Sequence, residues 1–275
     1  MSNGTRCYRL VLATGLGVLL MLTICGPVAA QELRTRIEAN HRLYVPDGEG
    51  PFPAVIAIPG CSGVSLRGPE TDAGRPGDEA DRLFRRHYPR MAERLREAGF
   101  LVLLVDYLTA EGVLNTCSGE IHPNRVGEYL GASVSFVTTF PDVDSSRVHV
   151  IGWSHGGAGV LSWLANLVDK PVGVRTAIAV YPGCGASGVW TSSLPVLMLL
   201  AGADDIALPS VCNALVESLP DNADARVYSY PGARHGFDMT EGPAMLPIGG
   251  GLTVGRDPAA GREAWRRILM FLTRP

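Results

Sequence analysis

The chain has 275 residues, 46% of them hydrophobic and 19% charged, with a formal net charge of −3 at pH 7. Such a composition supplies apolar surface for a sizeable core and excludes a disordered chain, which would combine low hydrophobicity with high net charge. The faintly acidic balance offers nucleic acid no electrostatic footprint, so a small molecule or a neutral polymer is the expected partner.

Arg6 and Arg9 open the sequence, Leu10 to Ile24 is apolar, and Val28-Ala29-Ala30 presents small residues where a signal peptidase reads. This pattern predicts a cleavable export signal over residues 1–30, with cleavage before Gln31 and one domain over 31–275. The apolar run falls short of the ~20 residues that span a bilayer, so no stable membrane anchor is expected once the leader is removed. Cleavage discards Cys7 and Cys25 and keeps Cys61, Cys117, Cys184 and Cys212. An even set in an oxidising compartment permits two disulfides in any of three pairings.

Short runs rich in Val, Ile and Leu follow at Pro53–Ile58, Phe100–Tyr107, Val148–Trp153, Ala177–Tyr181 and Val196–Leu200, and Arg226–Tyr230 ends the series. Bounded by Gly, Pro or Asp, they read as buried parallel strands. Helical stretches lie between them at Asp81–Ala98, Val126–Thr139, Gly157–Val168, Pro209–Ser218 and Ala259–Leu272. This alternation predicts an α/β fold, a mostly parallel sheet covered on both faces by crossover helices. Gly63–Asp78 has no periodicity and Gly242–Gly255 has little; both are expected to form surface loops, which in this architecture border the site, and pocket shape is expected to depend on loops such as Gly63–Asp78 and Glu111–Arg125.

Gly152-Trp153-Ser154-His155-Gly156 fits G-x-S-x-G. Alone the pattern is only suggestive, but an apolar strand runs straight into it and Gly156, Gly157 and Gly159 open a helix after it. A serine there sits on a tight strand-to-helix turn, with its hydroxyl beside the helix N-terminus. A serine hydroxyl is a poor nucleophile and needs a base. His235 alone follows the last predicted strand on a Pro- and Gly-built loop, whereas His41, His87, His122 and His149 suit surface or packing roles. The base needs a carboxylate to fix its tautomer, and Asp204 and Asp205 follow a strand in the chain order Ser, Asp, His. Adjacent side chains leaving a strand point apart, so only one of the two faces His235, and the residues alone do not say which. Oxyanion donors are expected from the backbone N–H of His155 and from Cys61, in the Pro59-Gly60-Cys61-Ser62-Gly63 turn after the first strand.

Taken together, Gly60-Cys61-Ser62-Gly63, Gly99-Phe100 leading to Val105-Asp106, Gly152 to Gly157, Tyr181-Pro182-Gly183-Cys184, Ala203-Asp204-Asp205 with Cys212, and Tyr230 to Asp238 resemble the dienelactone hydrolase family. The resemblance runs from about residue 40 to 272. It implies an α/β-hydrolase fold with Ser154 as nucleophile, His235 as base and Asp204 as acid, and disulfides pairing Cys184 with Cys212 and Cys61 with Cys117. Two departures stand out. The family's founding enzymes use cysteine where this chain has Ser154, so the dienelactone substrate does not carry over. Many members have histidine before the oxyanion glycine, where this chain has Pro59.

The expected activity is therefore that of an exported serine hydrolase acting on carboxylic ester or lactone bonds, with no metal or other cofactor implied. Acyl transfer to an alcohol or amine would use the same residues, and a non-catalytic binding protein would keep the fold without the triad.

Overall fold

A computed structural model describes residues 8–13, 19–24, 26–64, 79–167 and 171–274, with side chains from Ala30 onward. Tyr8–Ala13 (β1) and Leu19–Ile24 (β2) pair antiparallel with each other, apart from the central sheet; residues 1–7, 14–18 and 25 of the expected leader, with Arg6, Cys7 and Cys25, lie outside the described residues. Helix Gly26–Ala39 (α1) follows, and its buried side chains Leu33 and Ile37 come after the cleavage point expected before Gln31.

Seven strands form the main sheet: His41–Tyr44 (β3), Phe52–Ile58 (β4), Leu101–Val105 (β5), Val143–Trp153 (β6), Val174–Val180 (β7), Val196–Ala201 (β8) and Ala225–Tyr230 (β9). Their order is β3-β5-β4-β6-β7-β8-β9, parallel throughout except for the antiparallel edge strand β3. The helices are Glu79–Glu97 (α2), Tyr107–Ala110 (α3), Pro123–Val137 (α4), His155–Ala165 (α5), Pro209–Glu217 (α6) and Pro258–Leu272 (α7). Period-two alternation divides the core in two. Ala54, Ile56 and Ile58 of β4 face α1, α4, α5 and α6. Val55 and Ala57 face α2 and α7.

Every predicted strand is present, with shifted ends. β6 begins five residues before its apolar run because Asp144 to Arg147 lie at its solvated end, where an inward-facing pattern is absent. β5 stops at Val105, since Asp106 caps α3 by accepting from Thr109 N and Oγ1 at 3.1 and 2.6 Å. β3 escaped notice because its middle residues, Arg42 and Leu43, are exposed and its four residues carry no apolar run. Of the expected loops, Gly63–Asp78 lies largely outside the described residues, and the last residue of the expected helix Gly157–Val168 does too. The Gly242–Gly255 loop contains a small ribbon, Leu246–Pro247 (β10) against Thr253–Val254 (β11). Among the described residues no helix is long and apolar enough to cross a membrane.

His149 of β6 is buried; its Nδ1 lies 2.8 Å from Thr176 Oγ1 of β7, and its ring meets the edge of Phe100. Burial, helped by the nearby Arg175 and Arg147 charges, pushes its pKa down to about 4. In the unfolded chain it titrates near ~6.5, so within that window the unfolded state binds a proton that the native state does not. Acidification through the window therefore removes stability, on the order of 3 kcal/mol once pH falls below the folded value. His149→Gln is expected to flatten this part of the pH dependence in urea unfolding measured from pH 7 to 4; an unchanged profile would contradict the assignment.

Candidate active site

The site is built where β6 turns into α5. Ser154 stands at that turn with φ 52° and ψ −117°, a conformation L-residues avoid at a cost of about 1–3 kcal/mol. Two hydrogen bonds hold it there: Ser154 N–H donates to Val180 O, and Ala158 N–H donates to Ser154 O, both at 2.9 Å. The turn needs glycines on either side. A Cβ on Gly152 would overlap the Gly156 carbonyl, and one on Gly156 would overlap the carbonyls of Ile58 and Pro59. The end of β4 thus crosses directly against the start of α5, and a Cβ on Gly60 would stand 3.2 Å from Ser154 Cβ.

His235 reaches the same point from the loop after β9. Its Nε2 lies 2.8 Å from Ser154 Oγ, and its Nδ1 lies 2.7 Å from Asp204 Oδ2. Asp204 is buried on the loop after β8, where its other oxygen accepts the N–H groups of Ile206 and Ala207 at 2.9 and 2.8 Å. Of the two candidate aspartates, then, Asp204 meets His235. Asp205 turns the other way and accepts Thr253 N–H and Oγ1–H at 3.0 and 2.7 Å, which holds its carboxyl below the usual range. That contact anchors β11, and Gly255 N–H in turn donates to the His235 carbonyl at 2.9 Å. The Gly242–Gly255 loop, featureless in sequence, supports the histidine's backbone.

On the opposite side of Ser154, the Gly60–Gly63 turn is tied down at several points. Tyr107 Oη donates to Gly60 O at 3.3 Å, the Tyr88 hydroxyl hydrogen-bonds the Gly60 backbone, and burial raises the pKa of both phenols so that they stay neutral. Ser62 Oγ donates to Asp81 at 2.6 Å, and Asn115 holds both oxygens of the same carboxylate at 3.1 Å. Cys61 is disulfide-bonded to Cys117, with Cα atoms 4.8 Å apart, and its carbonyl accepts Thr116 N–H. A second disulfide joins Cys184 to Cys212, Cα atoms 5.1 Å apart. The Cys61 N–H enters no backbone hydrogen bond among the described residues, and His155, first residue of α5, has no intrahelical acceptor for its own. The His155 ring stacks on Tyr107, and burial lowers its pKa, which keeps it neutral.

The model of the dienelactone hydrolase family matches residues 83–274, well over half of the chain. The chain belongs to the dienelactone hydrolase family. Its fold is the α/β-hydrolase fold, as solved structures of similar shape also show. A Klebsiella pneumoniae protein assigned as a dienelactone hydrolase is 18% identical with a TM-score of 0.62, over 83% of this chain and 90% of its own. A dienelactone hydrolase-like promiscuous phosphotriesterase from metagenomic libraries is 19% identical, TM-score 0.59, over 86% and 94%. The dienelactone hydrolase from Anabaena variabilis is 18% identical, TM-score 0.56, over 97% and 96%. No curated protein matches the chain.

Sequence reasoning missed the helix α2 residues that support the site of this dienelactone hydrolase family member. Asp81, His87 and Tyr88 read as ordinary positions of a predicted helix. Only the fold brings them under the Gly60 turn and the serine. His41 and His122 take local roles: His41 Nδ1 lies 2.8 Å from Ile37 O, and His122 accepts Asn124 N–H at the start of α4.

The crowding at Gly156 gives a direct test. Gly156→Ala forces a methyl group onto two strand-end carbonyls that have no room to move, and overpacking of this kind costs about 1–3 kcal/mol. The urea midpoint should fall accordingly, and a midpoint equal to that of the unsubstituted protein would show that the crossing is looser than described.

Proposed function

We propose that this member of the family is an exported serine hydrolase that cleaves carboxylic ester or lactone bonds through Ser154, His235 and Asp204. The observation that carries this reading is the continuous line of contacts from Asp204 Oδ2 to His235 Nδ1 at 2.7 Å and from His235 Nε2 to Ser154 Oγ at 2.8 Å. That geometry suits general-base activation of a hydroxyl, with the carboxylate fixing the tautomer that leaves Nε2 free to accept the proton.

In the reaction, Ser154 Oγ attacks the substrate carbonyl as His235 takes its proton. The developing oxyanion is met by the N–H groups of His155 and Cys61, aided by the N-terminus of α5. His235 then gives its proton to the leaving alkoxide, and an acyl-enzyme forms. Water, deprotonated by the same imidazole, attacks that ester, and collapse of the second tetrahedral intermediate releases the acid and restores Ser154. For a lactone the leaving oxygen stays tethered, so the single product is a hydroxy acid. Export is supported by the leader pattern of residues 1–30 and is compatible with the two disulfides.

A fluorophosphonate probe should label the protein at Ser154, and Ser154→Ala should abolish labelling and lower ester hydrolysis by about 10⁶-fold. Asp204→Asn is expected to lower kcat by about 10⁴-fold, by favouring the wrong imidazole tautomer. Asp205→Asn, which loosens β11 and the backbone behind His235 but leaves the imidazole's own partner in place, should cost no more than about tenfold. These rates are best read on a panel of chromogenic esters of graded acyl length together with lactones. Retained turnover in Ser154→Ala would refute the nucleophile, and equal losses at 204 and 205 would refute the division of labour between the aspartates.

A further inference from the structure

The segment that carries His235 continues through Gly236 and Phe237 to Asp238, which has no part in the reaction above. Asp238 is buried, only 7% exposed. Its Oδ1 accepts the Tyr181 hydroxyl at 2.7 Å and its Oδ2 accepts the Trp153 indole N–H at 2.9 Å, while His87 Nε2 stands 3.4 Å from Oδ2 without hydrogen-bond alignment. Burial opposes ionisation, but the neighbouring His87 imidazole and the hydrogen bonds donated by Tyr181 and Trp153 outweigh it and hold the carboxyl below its ordinary value. A buried carboxylate is a poor device for stability, because apolar packing of the same volume does as well or better. Its partners indicate another use.

Trp153 immediately precedes Ser154 at the end of β6. Tyr181 follows β7 in a left-handed conformation, φ 36°, and its ring lies 4.7 Å from the imidazole of His235. His87 neighbours Tyr88, whose hydroxyl holds Gly60. One carboxylate therefore fastens the strand that ends in the serine, the aromatic wall behind the histidine, and the loop that carries that histidine.

We propose that Asp238 is a positioning residue of the hydrolytic site: through Tyr181 and Trp153 it holds the imidazole of His235 in register with Ser154 Oγ. This rests on the reading of Ser154 and His235 as nucleophile and base. Asp238 touches neither substrate nor reacting atoms. Its influence passes through the Tyr181 ring and the residue next to the serine, and displacement of reacting groups by about 1 Å is worth about 10²-fold in rate.

The test compares Asp238→Asn, Tyr181→Phe and the double variant with the unsubstituted enzyme. Each is assayed on a chromogenic ester well below its own unfolding temperature, with the proton resonance of the His235–Asp204 hydrogen bond followed by NMR. The expected result is a kcat loss of about 10–100-fold in each single variant, KM held within about twofold, a double variant no worse than the poorer single, and a shifted or broadened resonance. A kcat within about twofold of the parent in the folded variants, fully additive losses, or an unmoved resonance overturns the proposal. Should Asp238→Asn fail to fold, Tyr181→Phe, which removes one oxygen atom, decides alone. Ser154→Ala keeps the two readings apart: turnover surviving there sinks the serine mechanism, whereas an inert Ser154→Ala beside fully active Asp238→Asn and Tyr181→Phe sinks only the positioning role.

Discussion

The carboxyl ends of β4 and β6 approach so closely that Gly156 rests against the carbonyls of Ile58 and Pro59. That crossing has no room for a side chain, and the rest of the site is arranged around it. It brings the Gly60–Cys61 turn beside Ser154, and it forces the serine into a backbone conformation that its own Cβ disfavours. A penalty of about 1–3 kcal/mol at one residue is a real fraction of a domain's net stability of roughly 5–15 kcal/mol. It persists because the neighbours over-determine it: the parallel register of β4, β6 and β7 fixes both sides of the turn, and the apolar face of α5 packs against the sheet just beyond. The strain is local, and the structure that holds it is the whole sheet.

Around that fixed point, two adjacent aspartates divide one task. Asp204 meets the imidazole side chain, and its spare oxygen is taken up by two backbone N–H groups, so the carboxylate has little freedom to rotate. Asp205 never reaches the imidazole. It pins Thr253, and the strand pinned there presents Gly255 N–H to the carbonyl of His235. One aspartate orients the ring and its neighbour secures the backbone that bears the ring. Their side chains diverge in the turn after β8, where the N–H groups of Ile206 and Ala207 hold Asp204 against the imidazole while Asp205 faces Thr253.

The fold was largely legible in the amino-acid sequence because its strands are buried on both faces and so appear as unbroken apolar runs. β3 and the first half of β6 were not, since partly solvated residues carry no such run. The elbow at Ser154 and the loop position of His235 were legible from context: an apolar strand and clustered glycines around the serine, and a Pro- and Gly-built loop after the last strand for the histidine. The choice of Asp204 required the family resemblance, because two identical side chains one residue apart differ only in direction. Tyr88, Asp81 and His87 were illegible for a different reason. They sit on an amphipathic helix whose inward face reads as core, and polar groups on such a face gain meaning only from what the sheet sets opposite them. Asp238 ends the Tyr230–Asp238 segment that shares in the family resemblance, yet its partners Trp153 and Tyr181 are 85 and 57 residues away.

The disulfides follow the same geography. Cys61 adjoins the glycine that lies against the serine, and Cys117 ties it to the irregular segment before α4. Cys184 lies three residues beyond Tyr181, and its partner Cys212 is on α6, just past the turn that Asp204 organises. These cross-links close loops with sequence separations of 56 and 28 residues, and chain entropy alone gives each about 4 kcal/mol by restricting the unfolded chain. A bridge between any two distant residues would supply as much. What these two add is position: segments that leave the sheet lose its hydrogen-bonded support just where they flank Ser154 and Asp204, and a covalent tie beside each restores it.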